Sequence, residues 1–189
     1  MNFPTVRSLK RRDVMAALVL GVAAGAIASV AERVDAVLTG GNYTPLGYIN
    51  TYTWILVSAI LFGPLGPIIT TEIQALIGLV MFANPLSWLW PIVNLVFAVA
   101  VSLVSVGVTK LSPRSRGISI RLTLMSLTCA ILDIPLVYLV LVMVIGLPFV
   151  VYLVSLPIYI ALQLIPTTFL SYVVVRAILR SEILGKRSD

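Results

Sequence analysis

Residues 46–82 read LGYINTYTWILVSAILF, then GPLGP at 63–67, then IITTEIQALIGLVMF. Taken whole, the stretch is too long for one bilayer crossing, which needs about 20 apolar residues. Gly63-Pro64-Leu65-Gly66-Pro67 packs two glycines and two prolines into five residues. Proline withholds a backbone donor and glycine accepts the dihedral angles of a reversal, so a turn is expected there. The flanks, at about 16–18 residues each, are short but sufficient crossings.

Working outward, apolar runs follow at 14–38, 87–109, 118–145 and 151–179. With the two halves of 46–82 they predict an all-α polytopic membrane protein of six transmembrane helices. The whole of 1–189 reads as a single transmembrane domain, with short cytoplasmic tails at about 1–12 and 180–189. Composition agrees. The chain is 60% hydrophobic and 11% charged, against about half and about a quarter in soluble proteins. The excess apolar surface of so short a chain must face lipid.

The net charge of +6 is distributed as in a protein oriented by its loops, not as a nucleic-acid surface. Arg7, Lys10, Arg11 and Arg12 precede the first span. Lys110, Arg114, Arg116 and Arg121 surround the fourth loop, and Arg176, Arg180, Lys186 and Arg187 close the chain. Six spans put all of these on one side, expected to be the cytoplasm of a cell-membrane protein. The opposite loops, near 39–45, 83–87 and 146–148, carry no Lys or Arg, and only Arg33 lies toward the outer side. A signal-peptide reading of the N-terminus, with Ala26-Ile27-Ala28 as cleavage site, competes less well, because the apolar run continues beyond it.

Several function classes are excluded by absence. The chain has no histidine and one cysteine, Cys129. A Ser-His pair, the commonest transition-metal ligand and an internal disulfide are therefore missing. No metal or cofactor site is expected. No phosphate-binding Gly-x-x-x-x-Gly-Lys-Ser/Thr loop occurs, so the chain is not read as an enzyme, and any ATP-driven step needs another polypeptide.

Candidate functional residues fall in three groups. The first is a ladder of small residues in the first span, Ala17, Gly21, Gly25 and Ser29, with Ala24 and Ala28 beside it. Such a face admits a close neighbour, either within the bundle or from a partner. The second group is acidic. Glu72 and Asp133 sit inside predicted spans, where a carboxylate is costly and usually faces a cavity or a partner. Glu72 suits a cationic ligand, a ligand amine, a transported proton or a structural hydrogen bond. Asp133, just before Ile134-Pro135, suits a ligand or a neighbouring helix, and Pro135 predicts a kink. Glu32, Arg33 and Asp35 read as a solvated interfacial cluster or as part of a lid over an outward pocket.

The third group is aromatic and amide: Tyr43, Tyr48, Asn50, Tyr52 and Trp54 near the start of the second span, and Asn84, Trp88, Trp90 and Asn94 near the start of the fourth. Part of this set is an interfacial belt. Trp90 and Asn94 share a face at i, i+4, as do Tyr159 and Gln163 on the sixth span, bracketed by Pro157 and Pro166. Rings, amides and a buried acid suit a planar, nitrogen-rich, cationic ligand.

The Gly-Pro turn at 63–67, Thr71-Glu72-Ile73-Gln74-Ala75-Leu76 and Asn84-Pro85-Leu86-Ser87, together with small size and a small-residue first helix, resemble S components of energy-coupling factor (ECF) transporters, in particular the YkoE-like, thiamine-related branch. The local match covers about 25 residues; the rest is architectural. The resemblance implies a vitamin-binding subunit, capturing thiamine or its hydroxymethylpyrimidine precursor from outside. It implies partners: a transmembrane T component, docked on Ala17, Gly21, Ala24, Gly25 and Ala28, and two cytoplasmic ATPase subunits. Glu72 would face the ligand. The expected substrate-binding set is Glu72, Asn84, Trp88, Trp90, Asn94, Asp133, Tyr48, Trp54, Tyr159 and Gln163. Two other classes stay open: a stand-alone proton-coupled secondary transporter, and a non-catalytic membrane assembly subunit.

Overall fold

A computed structural model describes residues 11–39, 44–81, 87–108 and 115–185. The described residues form helices α1 (Arg11–Thr39), α2 (Pro45–Phe62), α3 (Gly66–Val80), α4 (Trp90–Val108), α5 (Ser115–Tyr138), α6 (Phe149–Leu162) and α7 (Thr168–Gly185). A π-helical turn, Leu139–Val144, extends α5, and another, Gln163–Thr167, joins α6 to α7. The chain is thus an all-α bundle of six rods. Five are long and apolar enough to cross a membrane, as a multi-pass protein requires. The exception is α3, whose 15 residues rise only about 22 Å against a hydrocarbon core of about 30 Å. It is shorter than the sequence suggested.

The turn between α2 and α3 forms where the glycines and prolines place it. Gly63 takes φ 73°, a left-handed conformation that costs glycine nothing. Its carbonyl accepts the Gly66 amide at 3.0 Å. Pro67 then enters the first turn of α3, where a missing donor does no harm.

The most intimate packing in the bundle joins α1 to α3. Ala17, Gly21, Ala24, Gly25 and Ala28 are all buried. A Cβ on Gly21 would lie 2.8 Å from both Ile73 Cβ and the Thr70 carbonyl, and one on Gly25 would lie 2.7 Å from Ile77 Cβ. The glycines form the groove, and Ile73 and Ile77 fill it. Thr70 donates to the Ala17 carbonyl at 3.3 Å across this seam, and Asn50 of α2 donates to the Ala24 carbonyl at 3.1 Å. The small-residue ladder expected to dock a T component is therefore occupied by the chain's own α3 and α2. This corrects the docking assignment of Ala17, Gly21, Ala24, Gly25 and Ala28: that face is closed to an external helix.

A second apolar layer, with Tyr52, Ile55 and Leu56 of α2, Phe97 and Val101 of α4, and Leu122 and Met125 of α5, holds the other rods. Cys129 is buried in it. Two prolines shape the later helices. Helix α5 runs through Pro135 and widens into a π-turn from Leu139. At Pro166 the missing amide deprives the Leu162 carbonyl of its helical partner, and the Thr167 hydroxyl donates to that carbonyl instead, at 2.9 Å.

The seam makes a direct stability prediction. Gly21→Leu should lower stability by about 1–3 kcal/mol through overpacking, measured as the thermal unfolding midpoint in detergent. Gly107→Ala, whose added Cβ meets nothing within 4 Å, should be neutral or slightly stabilising.

Candidate functional site

The end of α1, the start of α2, the end of α3 and the start of α4 converge at one end of the bundle. The acid that organises this end is Asp35. Thr44 gives α2 no side-chain cap. The buried Asp35 carboxylate instead accepts the amides of Leu46 at 3.2 Å and Gly47 at 2.9 Å, two of the orphan donors of the first turn. A carboxylate at a helix N-terminus also meets the positive end of its dipole. On the opposite side of α1, exposed Arg33 donates to the Met81 carbonyl at 3.2 Å, just past α3. Glu32, Arg33 and Asp35 are thus not a uniformly solvated cluster. Glu32 and Asp35 are turned inward, and Arg33 ties α1 to α3.

Two adjoining cavities, of about 50 and 70 Å³, open here. They share a wall made by Thr44, Tyr48, Tyr52 and Trp90. Glu32, Thr51, Gln74 and Asn94 add polar groups to the first. The second is bounded by Asp133 and Tyr159, with Val93, Phe97 and Leu136 as apolar lining. Tyr48 is the divider. Its ring packs 4.3 Å from that of Tyr52 and 5.1 Å from that of Tyr159, centroid to centroid, and its hydroxyl donates to the Asp133 carboxylate. Tyr52 in turn meets Phe97 edge-on at 4.8 Å.

Gln74 and Trp90, which line the first cavity, each keep a buried polar atom with no hydrogen-bond partner among the described residues: Gln74 Oε1 and Trp90 Nε1. Gln74 is 4% exposed. Its amide nitrogen donates to Thr51 Oγ1 at 2.5 Å, which fixes the amide and leaves its oxygen unmatched. Leaving a buried polar group unpaired costs about 1–3 kcal/mol. Of these two atoms one is an acceptor and the other a donor, on two residues that line the same cavity.

Of the sequence-predicted residues, Tyr48, Trp90, Asn94, Asp133 and Tyr159 line these cavities. Trp90 and Asn94 share the first, as their spacing predicted. Four others do not line either one. Glu72 lies on the outward face of α3, between exposed Leu65 and Leu76. Gln163 is fully buried at the π-turn, where its side-chain amide nitrogen donates to Ser126 Oγ at 3.3 Å and its backbone carbonyl accepts from Ser126 Oγ at 2.7 Å. Trp54 donates to Asn50 Oδ1 at 3.0 Å on its own helix. Trp88 is 55% exposed, as a belt residue would be. Asn84 and Tyr43 lie outside the described residues. Sequence reasoning missed Gln74 and Thr51, and it read Glu32 only as part of a solvated cluster or a lid. For Gln74 the signal was the row Thr70, Gln74, Gly78, which puts polar and small residues on the face of α3 opposite Glu72.

No protein-family model, curated protein or solved structure matches the chain. The site's chemistry is accordingly read from its own residues.

The Tyr48–Asp133 contact is testable alone. Tyr48→Phe removes the donor and leaves a carboxylate that is 1% exposed without it. Stability should fall by about 1–3 kcal/mol, measured by unfolding in detergent. Asp133→Asn should cost less, because the amide oxygen still accepts from Tyr48.

Proposed function

We propose that the chain is the membrane-embedded substrate-binding subunit of an ECF-type importer. It captures a small, planar, cationic, nitrogen-rich vitamin from outside, with thiamine or its hydroxymethylpyrimidine precursor favoured. The observation that carries this reading is the grouping of two acids, two amides and stacked rings around two adjoining cavities at one end of an otherwise apolar bundle. Asp133 pairs with the thiazolium cation. Gln74 Oε1 accepts the aminopyrimidine N–H, a pyrimidine nitrogen accepts from Trp90 Nε1, and the tyrosines supply stacking faces.

The separate cavities are too small for such a ligand. Entry requires Tyr48 to swing from between them, exchanging its hydrogen bond to Asp133 for the ligand's cation. The site then forms as the ligand arrives, and the Tyr48 hydroxyl keeps the carboxylate matched beforehand.

Orientation follows from charge. Arg11, Arg12, Arg121, Arg176 and Arg180 belong to the end of the bundle opposite the cavities. The positive-inside rule puts that end, and both chain termini, in the cytoplasm of the cell membrane, with the cavities outward. A transmembrane T component and two cytoplasmic ATPase subunits supply the motor this chain lacks. A stand-alone proton-coupled transporter is the competing reading, favoured by the buried Tyr48–Asp133 pair. It requires uptake by this chain alone in vesicles under a proton gradient.

Titration of the purified protein with thiamine and hydroxymethylpyrimidine, followed by tryptophan fluorescence, tests the proposal. Saturable quenching is expected, with most of its amplitude lost in Trp90→Phe. Asp133→Asn should weaken thiamine binding by about tenfold or more, the equivalent of about 1.4 kcal/mol or more. Absence of any response to both compounds overturns the thiamine assignment.

A further inference from the structure

The one acid of α3 points away from the cavities, and its setting identifies a second functional surface. Around α3, Pro67, Thr70, Thr71, Gln74, Ala75 and Gly78 are buried, which fixes the inward side. Leu65, Leu76 and Val80, at 46, 49 and 73% exposed, mark the outward side. Glu72, itself half-buried, lies on that outward side between Leu65 and Leu76 in the helical repeat. It also lies one residue from the midpoint of Gly66–Val80. Either end of α3 is about 10 Å away along the axis, beyond the reach of a side chain as short as glutamate. Lys and Arg escape such positions by snorkelling, but Glu72 cannot. Its Oε1 is shielded from solvent and finds no hydrogen-bond partner among the described residues. The seam to α1 is already filled by Ile73 and Ile77.

A carboxyl group held at mid-depth on a lipid-directed face is costly unless another membrane segment covers it. We infer that the outward face of α3, centred on Glu72 and flanked by Leu65, Ile69, Leu76 and Val80, is the docking surface for a transmembrane helix of a different protein, one that presents an Arg or Lys at mid-depth. Charge complementarity selects this occupant. A second copy of the chain related by a two-fold axis would set Glu72 against Glu72, and lipid tails offer no donor. The apolar flanks provide the packing surface, and the single ion pair sets the register. This surface lies off the cavities and stands whichever ligand they take. It also replaces, as the partner-facing side, the small-residue ladder that α3 itself covers.

The test uses the full chain in lipid vesicles with two synthetic transmembrane peptides of leucine, one carrying a single central Arg and one without it. Each bears a dansyl group, and energy transfer from the chain's tryptophans reports association. The Arg peptide should bind about threefold to thirtyfold more tightly than the all-leucine peptide, the range that interhelical polar contacts give in membranes. Glu72→Leu should abolish that preference and Glu72→Gln should reduce it. Thermal unfolding and ligand quenching of both variants should match the parent. Equal binding of the two peptides, or an undiminished preference in Glu72→Leu, overturns the proposal. So does disulfide cross-linking between Leu76→Cys copies in dilute vesicles, which would make the occupant a second copy. A loss of ligand binding in Glu72→Leu with the fold intact also overturns it, by returning Glu72 to the cavity.

Discussion

The closeness of α1 to α3 is the constraint on which the rest depends. Apolar side chains gain little by leaving lipid for another apolar surface, so helices in a membrane are held by contact and by hydrogen bonds that need close approach. Gly21 and Gly25 leave room for Ile73 and Ile77, and the backbones come near enough for Thr70 to reach the Ala17 carbonyl. That approach sets the rotation of α3. It turns Gln74 and Gly78 toward the first cavity, beside Ala28 and Glu32, and it leaves Glu72 facing outward. A larger residue at either glycine would disturb cavity geometry as well as stability.

Polar groups in this bundle are matched in two distinct ways. Away from the cavities much of the matching is internal, although Thr53, Thr71, Glu72 and Gln163 each keep a side-chain oxygen without a partner among the described residues. Asp35 caps α2, Trp54 pairs with Asn50, and Ser126 binds Gln163 beside the widened turn at Pro166. Each satisfies a group that water would otherwise serve, as the hydrocarbon interior demands. At the cavities the matching is partial. Asp133 is held by Tyr48, whereas Gln74 and Trp90 present atoms with no partner from the described residues.

The candidate site was legible where local spacing alone decides which side chains meet. Trp90 and Asn94, four residues apart on α4, share a cavity as expected. The same logic failed for Tyr159 and Gln163. Tyr159 lines the second cavity, but Gln163 belongs to a π-turn, where the extra residue per turn breaks the four-residue register. The acids divided in the same way. Asp133 reached the cavity and Glu72 did not. Glu32 and Asp35, at the membrane edge in sequence, are buried by the packing of α2 against α1.

What the sequence determined by itself was the number of helical rods, their approximate ends and the reversal at 63–67. Length of apolar run, glycine and proline act locally, and a bilayer rewards nothing else. Which face of each helix turns inward was decided only by the tertiary structure. In a soluble helix the polar side announces itself, because water and core differ. Here lipid and core are equally apolar, so the small-residue ladder of α1 read alike as an inner seam or an outer dock, and Glu72 alike as a ligand contact or a partner contact. The packing of α3 into the glycine groove separated those readings.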